Sequence, residues 1–182
     1  KPHGFGNLAD RVPDPGRLEA FTAWVASQFD SSVTWKDIEW LRTVWKGKLL
    51  IKGVLEPDDA KAAVAAGADG VIVSNHGGRQ LDSVASSVSK LPHIVDAVGD
   101  QAEVLVDGGV RSGIDVFKAV ALGAKGVLIG RPWVWALAAQ GQTGVRDMLA
   151  IIRQELRIAM ALSGVNSIAE IGRDAIDDLP RG

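Results

Sequence analysis

The sequence predicts an α/β domain whose parallel sheet is built from repeated strand–helix units, and three observations carry that prediction. First, the short apolar runs Leu49-Leu50-Ile51, Gly70-Val71-Ile72-Val73, Val104-Leu105-Val106 and Gly126-Val127-Leu128-Ile129 alternate with segments of helical period. Continuously apolar strands are those covered on both faces of a parallel sheet. Second, Ala66-Gly67-Ala68-Asp69-Gly70-Val71-Ile72-Val73 is echoed further along the chain by Leu122-Gly123-Ala124-Lys125-Gly126-Val127-Leu128-Ile129. That displacement is two strand–helix units of about 28 residues each, which suits an eight-stranded barrel of about 250 residues, of which four strands are half. Third, polar residues gather where the strands end. Lys52 closes the first strand, Ser74-Asn75-His76 the second, Asp107-Gly108-Gly109 the third and Gly130-Arg131 the fourth, and barrels and open α/β sheets hold their sites at such carboxyl ends.

The elements follow in order. The opening segment 1–16, with Gly4, Gly6, Pro13, Pro15 and Gly16, reads as loop or linker. From Arg17 to Phe29, Leu18, Phe21, Trp24, Val25 and Phe29 share a helical face, and Trp35 to Trp45 repeats the pattern with Ile38, Leu41 and Val44. A strand ends at Lys52. Pro57 then opens a helix to about Ala66, with Gly67 as its left-handed stop. The second strand leads through a long loop to a helix near Val88–Val98. The third precedes a helix capped by Ser112 and ended by Gly123. After the fourth, Pro132 starts a short helix, Thr143 to Ser163 forms a long one, and Ser167–Ile171 begins another.

A chain of 182 residues, 47% hydrophobic and 23% charged, is expected to form one domain. Within it, segment 1–34 would be a loop and helix preceding the Lys52 strand. A net charge of −2 and no basic run argue against nucleic acid as a partner. The absence of cysteine removes disulfides and thiolate metal ligands and suits a reducing cytoplasm; no metal site is expected. The start reads as no signal peptide, and no apolar stretch reaches the length of a membrane span. Six tryptophans accompany no tyrosine. Aromatic residues spaced along amphipathic helices are expected in the core, so Trp24, Trp35, Trp40, Trp45, Trp133 and Trp135 receive no functional role.

Ser74-Asn75-His76-Gly77-Gly78-Arg79-Gln80 is the most informative segment. It sets a proton acceptor three residues from a fixed positive charge, on a glycine backbone that a small anion or flat ring can approach. A lone histidine is commonly structural; the glycines and Arg79 favour catalysis for His76, whereas His3 and His93 lack such company and read as surface or packing residues. Asp107-Gly108-Gly109-Val110-Arg111 and Gly130-Arg131-Pro132 are glycine loops with an arginine each, after the last two strands. Alone, each is a turn with a solvated arginine or an anion cradle; two on adjacent strands favour phosphate. Lys52 is either a rim residue or a cation of the site, and its company favours the site.

Residue for residue, Ser74–Gln80 resembles the active-site segment of the FMN-dependent 2-hydroxy-acid dehydrogenases and oxidases. The surrounding blocks Thr34-Trp35-Lys36-Asp37, Lys52-Gly53, Asp107–Arg111, Ala121–Ala124, Gly130-Arg131-Pro132 and Met160–Gly164 are similar too. Pro2-His3-Gly4 through Trp40 looks most like the bacterial respiratory L-lactate dehydrogenases. The resemblance implies a (β/α)8 TIM barrel of which this chain is the C-terminal half. It implies that His76 is the base, that Arg79 binds the substrate carboxylate, and that Lys52 sits near flavin N1 and O2. Ser74 helps to hold the flavin, and Asp107, Gly108, Gly109, Arg111, Gly130 and Arg131 hold ribityl and phosphate groups.

The implied reaction oxidises an L-2-hydroxy acid, L-lactate to pyruvate first, with FMN as cofactor and oxygen, a quinone or a cytochrome as electron acceptor. The alternatives are glycolate- or mandelate-type activity, or a half-barrel that binds flavin or phosphate without turnover. An IMP-dehydrogenase-like barrel is disfavoured because its catalytic cysteine is absent. Family members also use two tyrosines, an acidic partner for the histidine and a second arginine, all in the first half, and this chain has no tyrosine. The expected partner is therefore the N-terminal half of the barrel or another copy of the chain, giving a homo-oligomer. The expected location is the cytoplasm, at the inner face of the plasma membrane where the protein is peripheral.

Overall fold

A computed structural model describes residues 10–12 and 17–177. His3, and most of the loop expected over segment 1–16, lie outside the described residues. The chain divides into two compact units, Lys1–Asp37 and Ile38–Gly182. The first holds helix α1 (Leu18–Ser27), whose Ala20, Phe21, Trp24 and Val25 form a half-buried stripe. Helix α2 (Trp35–Val44) starts in it, where the Asp37 carboxylate accepts the Thr34 N–H and hydroxyl. Those two bonds hold the Asp37 carboxyl below its usual range.

The second unit follows the expected alternation. Strands β1 (Leu50–Val54), β2 (Gly70–Val73), β3 (Glu103–Val106) and β4 (Gly126–Val127) form one parallel sheet in the order β1-β2-β3-β4. Helices α3 (Pro57–Ala65), α4 (Ser87–Val98) and α5 (Gly113–Ala121) connect them. The register places Ile51, Val71 and Val104 in one row and Val54, Val73, Val106 and Val127 in another. These rows pack against Leu91, Ile94 and Val98 of α4 and Ala60 and Ala63 of α3 to make the main core. Lys52, Ile72 and Leu105 form the alternate row on the opposite face. Gly67 and Gly123 end α3 and α5 at φ +95° and +101°, as the sequence predicts.

Helix α6 (Arg131–Leu162) breaks at Gln140 and Gly141, where φ reaches +59°. Its limbs, 131–139 and 142–162, are the short and long helices expected. The long limb packs on α5 so closely that a Cβ on Gly113 would lie 2.2 Å from the Leu156 nitrogen, while Glu155 accepts the Gly113 N–H at 2.7 Å. A second core of Phe117, Ala121 and Ile171 lies there with Leu156 and Met160.

Four expectations need correction. Strand β1 runs to Val54, so Lys52 lies within it; Gly53, at φ +99°, is a bulge between the paired residues Lys52 and Val54. Strand β4 stops at Val127; Leu128 still donates to the Val106 carbonyl, but Ile129 leaves the ladder. After Ser167 there is only a 3₁₀ turn, Ile168–Glu170. The tryptophans are not core: Trp35, Trp40, Trp45, Trp133 and Trp135 are exposed and Trp24 is half-buried. Helical spacing places side chains on one face but does not supply the surface that covers it.

Candidate active site

The carboxyl ends of β1 to β4 open into a cleft of about 620 Å³, lined by Lys52, His76, Gly77, Arg79, residues 107–111 and residues 128–135. That size falls within the range of small-molecule and cofactor sites.

Lys52 enters from the open face of the sheet. Its Nζ lies 2.8 Å from Asp107 Oδ2 and donates to Ser74 Oγ at 2.8 Å. Ser74 is buried, and the same oxygen accepts the His76 backbone N–H at 3.1 Å. One hydroxyl thus ties the cation to the loop carrying the imidazole, and Ser74 stands behind Lys52 rather than among the cleft-lining residues.

His76 begins a 3₁₀ turn, His76–Gly78. Its φ is +56°, and those of Gly77 and Gly78 are +68° and +72°. For the two glycines this conformation is free, while for His76 it costs about 1–2 kcal/mol. The neighbours hold it there. Asn75 Oδ1 accepts the Gly77 N–H at 3.0 Å, its carbonyl accepts the Gly78 N–H, and Arg131 Nη2 donates to the Gly77 carbonyl. A Cβ on Gly53 would sit 2.8 Å from His76 Cε1, so the imidazole rests on the bulge of β1. Gly53 is therefore a site residue that apolar patterning does not reveal, because a run of strand residues carries no sign of a register shift.

The anion-cradle loops meet on the other side. Gly108 and Gly109 lie at φ +90° and +86°, and a Cβ at Gly109 or Gly130 would meet nothing within 4 Å. Gly109 and Gly130 both border open space. The loop before α5 is fixed by a capping box: Asp115 Oδ2 accepts the N–H groups of Arg111 and Ser112 and the Ser112 hydroxyl, each at 2.9 Å. Burial works against the Asp115 carboxylate, yet these three donors keep its pKa below the ordinary 3.8. Arg131 and Pro132 form the first turn of α6, whose N-terminal N–H groups favour an anion. His93 is exposed on α4, away from the lining residues.

FMN can be tested against these groups. Asp107 Oδ1 is buried with no hydrogen-bond partner, the only such side-chain atom among the described residues, and such an acceptor calls for a donor. A polyhydroxyl chain supplies one. Arg79 and Arg111 line the cleft without an ion pair among the described residues, and the glycine loops leave room for a phosphate. The residues present fit the cofactor.

The comparisons agree. Residues 5–178 match the family model described as FMN-dependent dehydrogenase. The chain is 55% identical over 181 residues to an L-lactate dehydrogenase of Azorhizobium caulinodans, covering 100% of this chain and 48% of that protein. It is 55% identical over 176 residues to one of a Caulobacter species, covering 97% and 46%. The chain thus spans about half the length of the curated relatives it matches. A structure of mandelate oxidase with (S)-2-phenylpropionate superposes with a TM-score of 0.75 at 51% identity, over 78% of this chain and 42% of that one. Mandelate oxidase with 3,3-difluoro-2-hydroxy-3-phenylpropionic acid gives 0.76 at 50% identity, over 80% and 44%. The four parallel strands and their helices correspond to part of the TIM-type barrel of such oxidases. With a family match across nearly its whole length and this site at its strand ends, the chain belongs to the FMN-dependent dehydrogenase family.

Proposed function

We propose that this chain supplies the base, the carboxylate-binding arginine and the FMN-phosphate cradle of an enzyme that oxidises an L-2-hydroxy acid, L-lactate to pyruvate foremost. The observation that carries the reading is the convergence of His76, Arg79 and the Lys52–Asp107 pair on one cleft. The 55% identity to L-lactate dehydrogenases favours lactate; the likeness to mandelate oxidase favours the wider 2-hydroxy-acid class. The match over residues 5–178 supports treating the chain as one domain of this type.

The residues divide the work. Arg79 offers a planar guanidinium to the substrate carboxylate, which fixes the α-carbon next to the imidazole. His76 takes the hydroxyl proton, from a ring braced on Gly53. Bound FMN supplies an acceptor for the electron pair released with the α-hydrogen. Lys52, fixed by Asp107 and Ser74, would offer positive charge to the reduced flavin. Asp107 Oδ1 takes a ribityl hydroxyl, while Arg111, Gly108, Gly109, Gly130, Arg131 and the start of α6 hold the phosphate.

The site needs more than these residues. A base that becomes imidazolium is ordinarily stabilised by a carboxylate on its other nitrogen, and among the described residues His76 forms no ion pair. The parallel strands β1 and β4 also present unpaired edges in this sheet. We assign both needs to a further stretch of barrel, carried on the same polypeptide, on a partner or on a second copy. The proposed location is the cytoplasm, including the inner face of the plasma membrane; a chain without cysteine suits it.

Anaerobic addition of FMN and L-lactate tests the assignment through bleaching of flavin absorbance. The chain combined with the complementary barrel half is expected to bleach the flavin, and the chain alone far less. No bleaching in the combined sample would refute the activity. A flavin that binds without bleaching would support the binding-only half-barrel, which the unpaired Asp107 Oδ1 also accommodates.

A further inference from the structure

Behind the His76 turn lies a second tier of contacts, centred on Asn75 and Ser87, neither of which lines the cleft. Ser87 is the first residue of α4, and only 2% of its surface is exposed. Its Oγ accepts the backbone N–H of Asn75 at 3.1 Å. Asn75 in turn accepts the Gly77 N–H on its side chain and donates through Nδ2 to the Ala85 carbonyl. Across from both, a Cβ on Gly108 would lie 2.9 Å from Ser87 Oγ and 3.2 Å from Asn75 Oδ1. The absence of a side chain at 108 is what lets the β3 loop close over this pair.

From this juxtaposition we infer that Ser87 is a positioning residue for the proton acceptor: through Asn75 it anchors the turn at α4 and so holds His76 in its left-handed conformation. Three features support it. His76 adopts a backbone conformation that its own side chain disfavours, so neighbouring bonds must select it. The Asn75 N–H is an obligatory donor, and the Ser87 hydroxyl is the acceptor it has. The anchor is rigid, because α4 contributes Leu91, Ile94 and Val98 to the core. Ser87 is absent from the lining of the cleft, so its effect must travel through the turn.

The inference rests on the reading of His76 as base, and the test separates the two. In the complete FMN-loaded protein, Ser87→Ala is expected to lower kcat for L-lactate about tenfold to a hundredfold, the range that a misplaced catalytic group produces. KM and the FMN dissociation constant, read by flavin fluorescence quenching, should stay within about threefold, since Arg79, Arg111 and Arg131 keep their guanidinium groups. Ser87→Thr restores the hydroxyl and should restore the rate. Independently of turnover, the imidazole resonances of His76 in ¹⁵N-histidine-labelled protein should shift or broaden in Ser87→Ala and return in Ser87→Thr. If Ser87→Ala does not fold, Ser87→Cys replaces it, sulfur being a weak acceptor: Cys slower than Thr supports the inference, and equal rates overturn it. Unchanged kcat and unchanged His76 resonances in Ser87→Ala overturn it, as does a parallel loss of FMN affinity. Full turnover by His76→Asn would instead overturn the assignment of the base, while leaving the resonance test of Ser87 standing in the wild-type background.

Discussion

At the scale of single residues, the site draws its polar side chains from four places: Lys52 from β1, His76 and Arg79 from one turn after β2, Asp107 and Arg111 from the loop after β3, and Arg131 from the start of α6. His76→Gln keeps the turn but removes the base, so turnover of the complete protein is expected to fall by about 10²–10⁴-fold while FMN binding stays. Steady-state kinetics with a parallel flavin titration measures both. Arg79→Ala removes a charge-assisted bond worth about 1.5–3 kcal/mol, so KM for the hydroxy acid should rise roughly tenfold to a hundredfold with little change in flavin affinity. His76, Arg79 and Lys52 were legible because a histidine and arginine among glycines, or a lysine in an apolar run, conflict with any packing role. Ser74, Asn75 and Ser87 were less so. Serine and asparagine in a loop look alike in sequence whether they face a ligand or support a backbone, and only the fold shows that Ser74 Oγ receives both Lys52 and His76.

At the scale of elements, the capping box at α5 and the close approach of α5 to α6 set the phosphate side of the cleft. Asp115 has a depressed pKa, so its contribution to stability is complete above the ordinary carboxylate value and is lost as pH falls through the folded-state value. Asp115→Ala should therefore cost about 1 kcal/mol at neutral pH, and the gap from wild type should narrow on acidification. Thermal melts between neutral and acidic pH check this. Gly113→Ala puts a methyl group into the backbone of α6 and should lower the melting temperature by an amount corresponding to about 1–3 kcal/mol of overpacking. The strands and their order of appearance were plain from apolar runs and turn glycines. The Gly53 bulge, the early end of β4 and the exposure of Trp40 and Trp45 were not. Register and coverage are set by what lies alongside an element, and its own sequence does not contain that.

At the scale of the whole molecule, four parallel strands present a row of alternate side chains, Lys52, Ile72 and Leu105, on the face away from α3 and α4. A barrel buries that face inside itself. Pairing of β1 and β4 with further strands is expected to make the chain sediment as a complex, with a complementary half or with its own copies. A well-ordered monomer at micromolar concentration would count against the pairing. The echo of Ala66–Val73 in Leu122–Ile129 and the positions of the polar residues made this half-barrel visible in the sequence.

The most direct test of the central claim, that this cleft is the FMN side of the active site, is a fluorescence titration of FMN with the chain. Saturable quenching is expected, weakened roughly tenfold to a hundredfold by Arg111→Ala, which removes a charged donor that forms no other ion pair among the described residues. Absence of saturable quenching, or the same affinity in Arg111→Ala, would contradict the account.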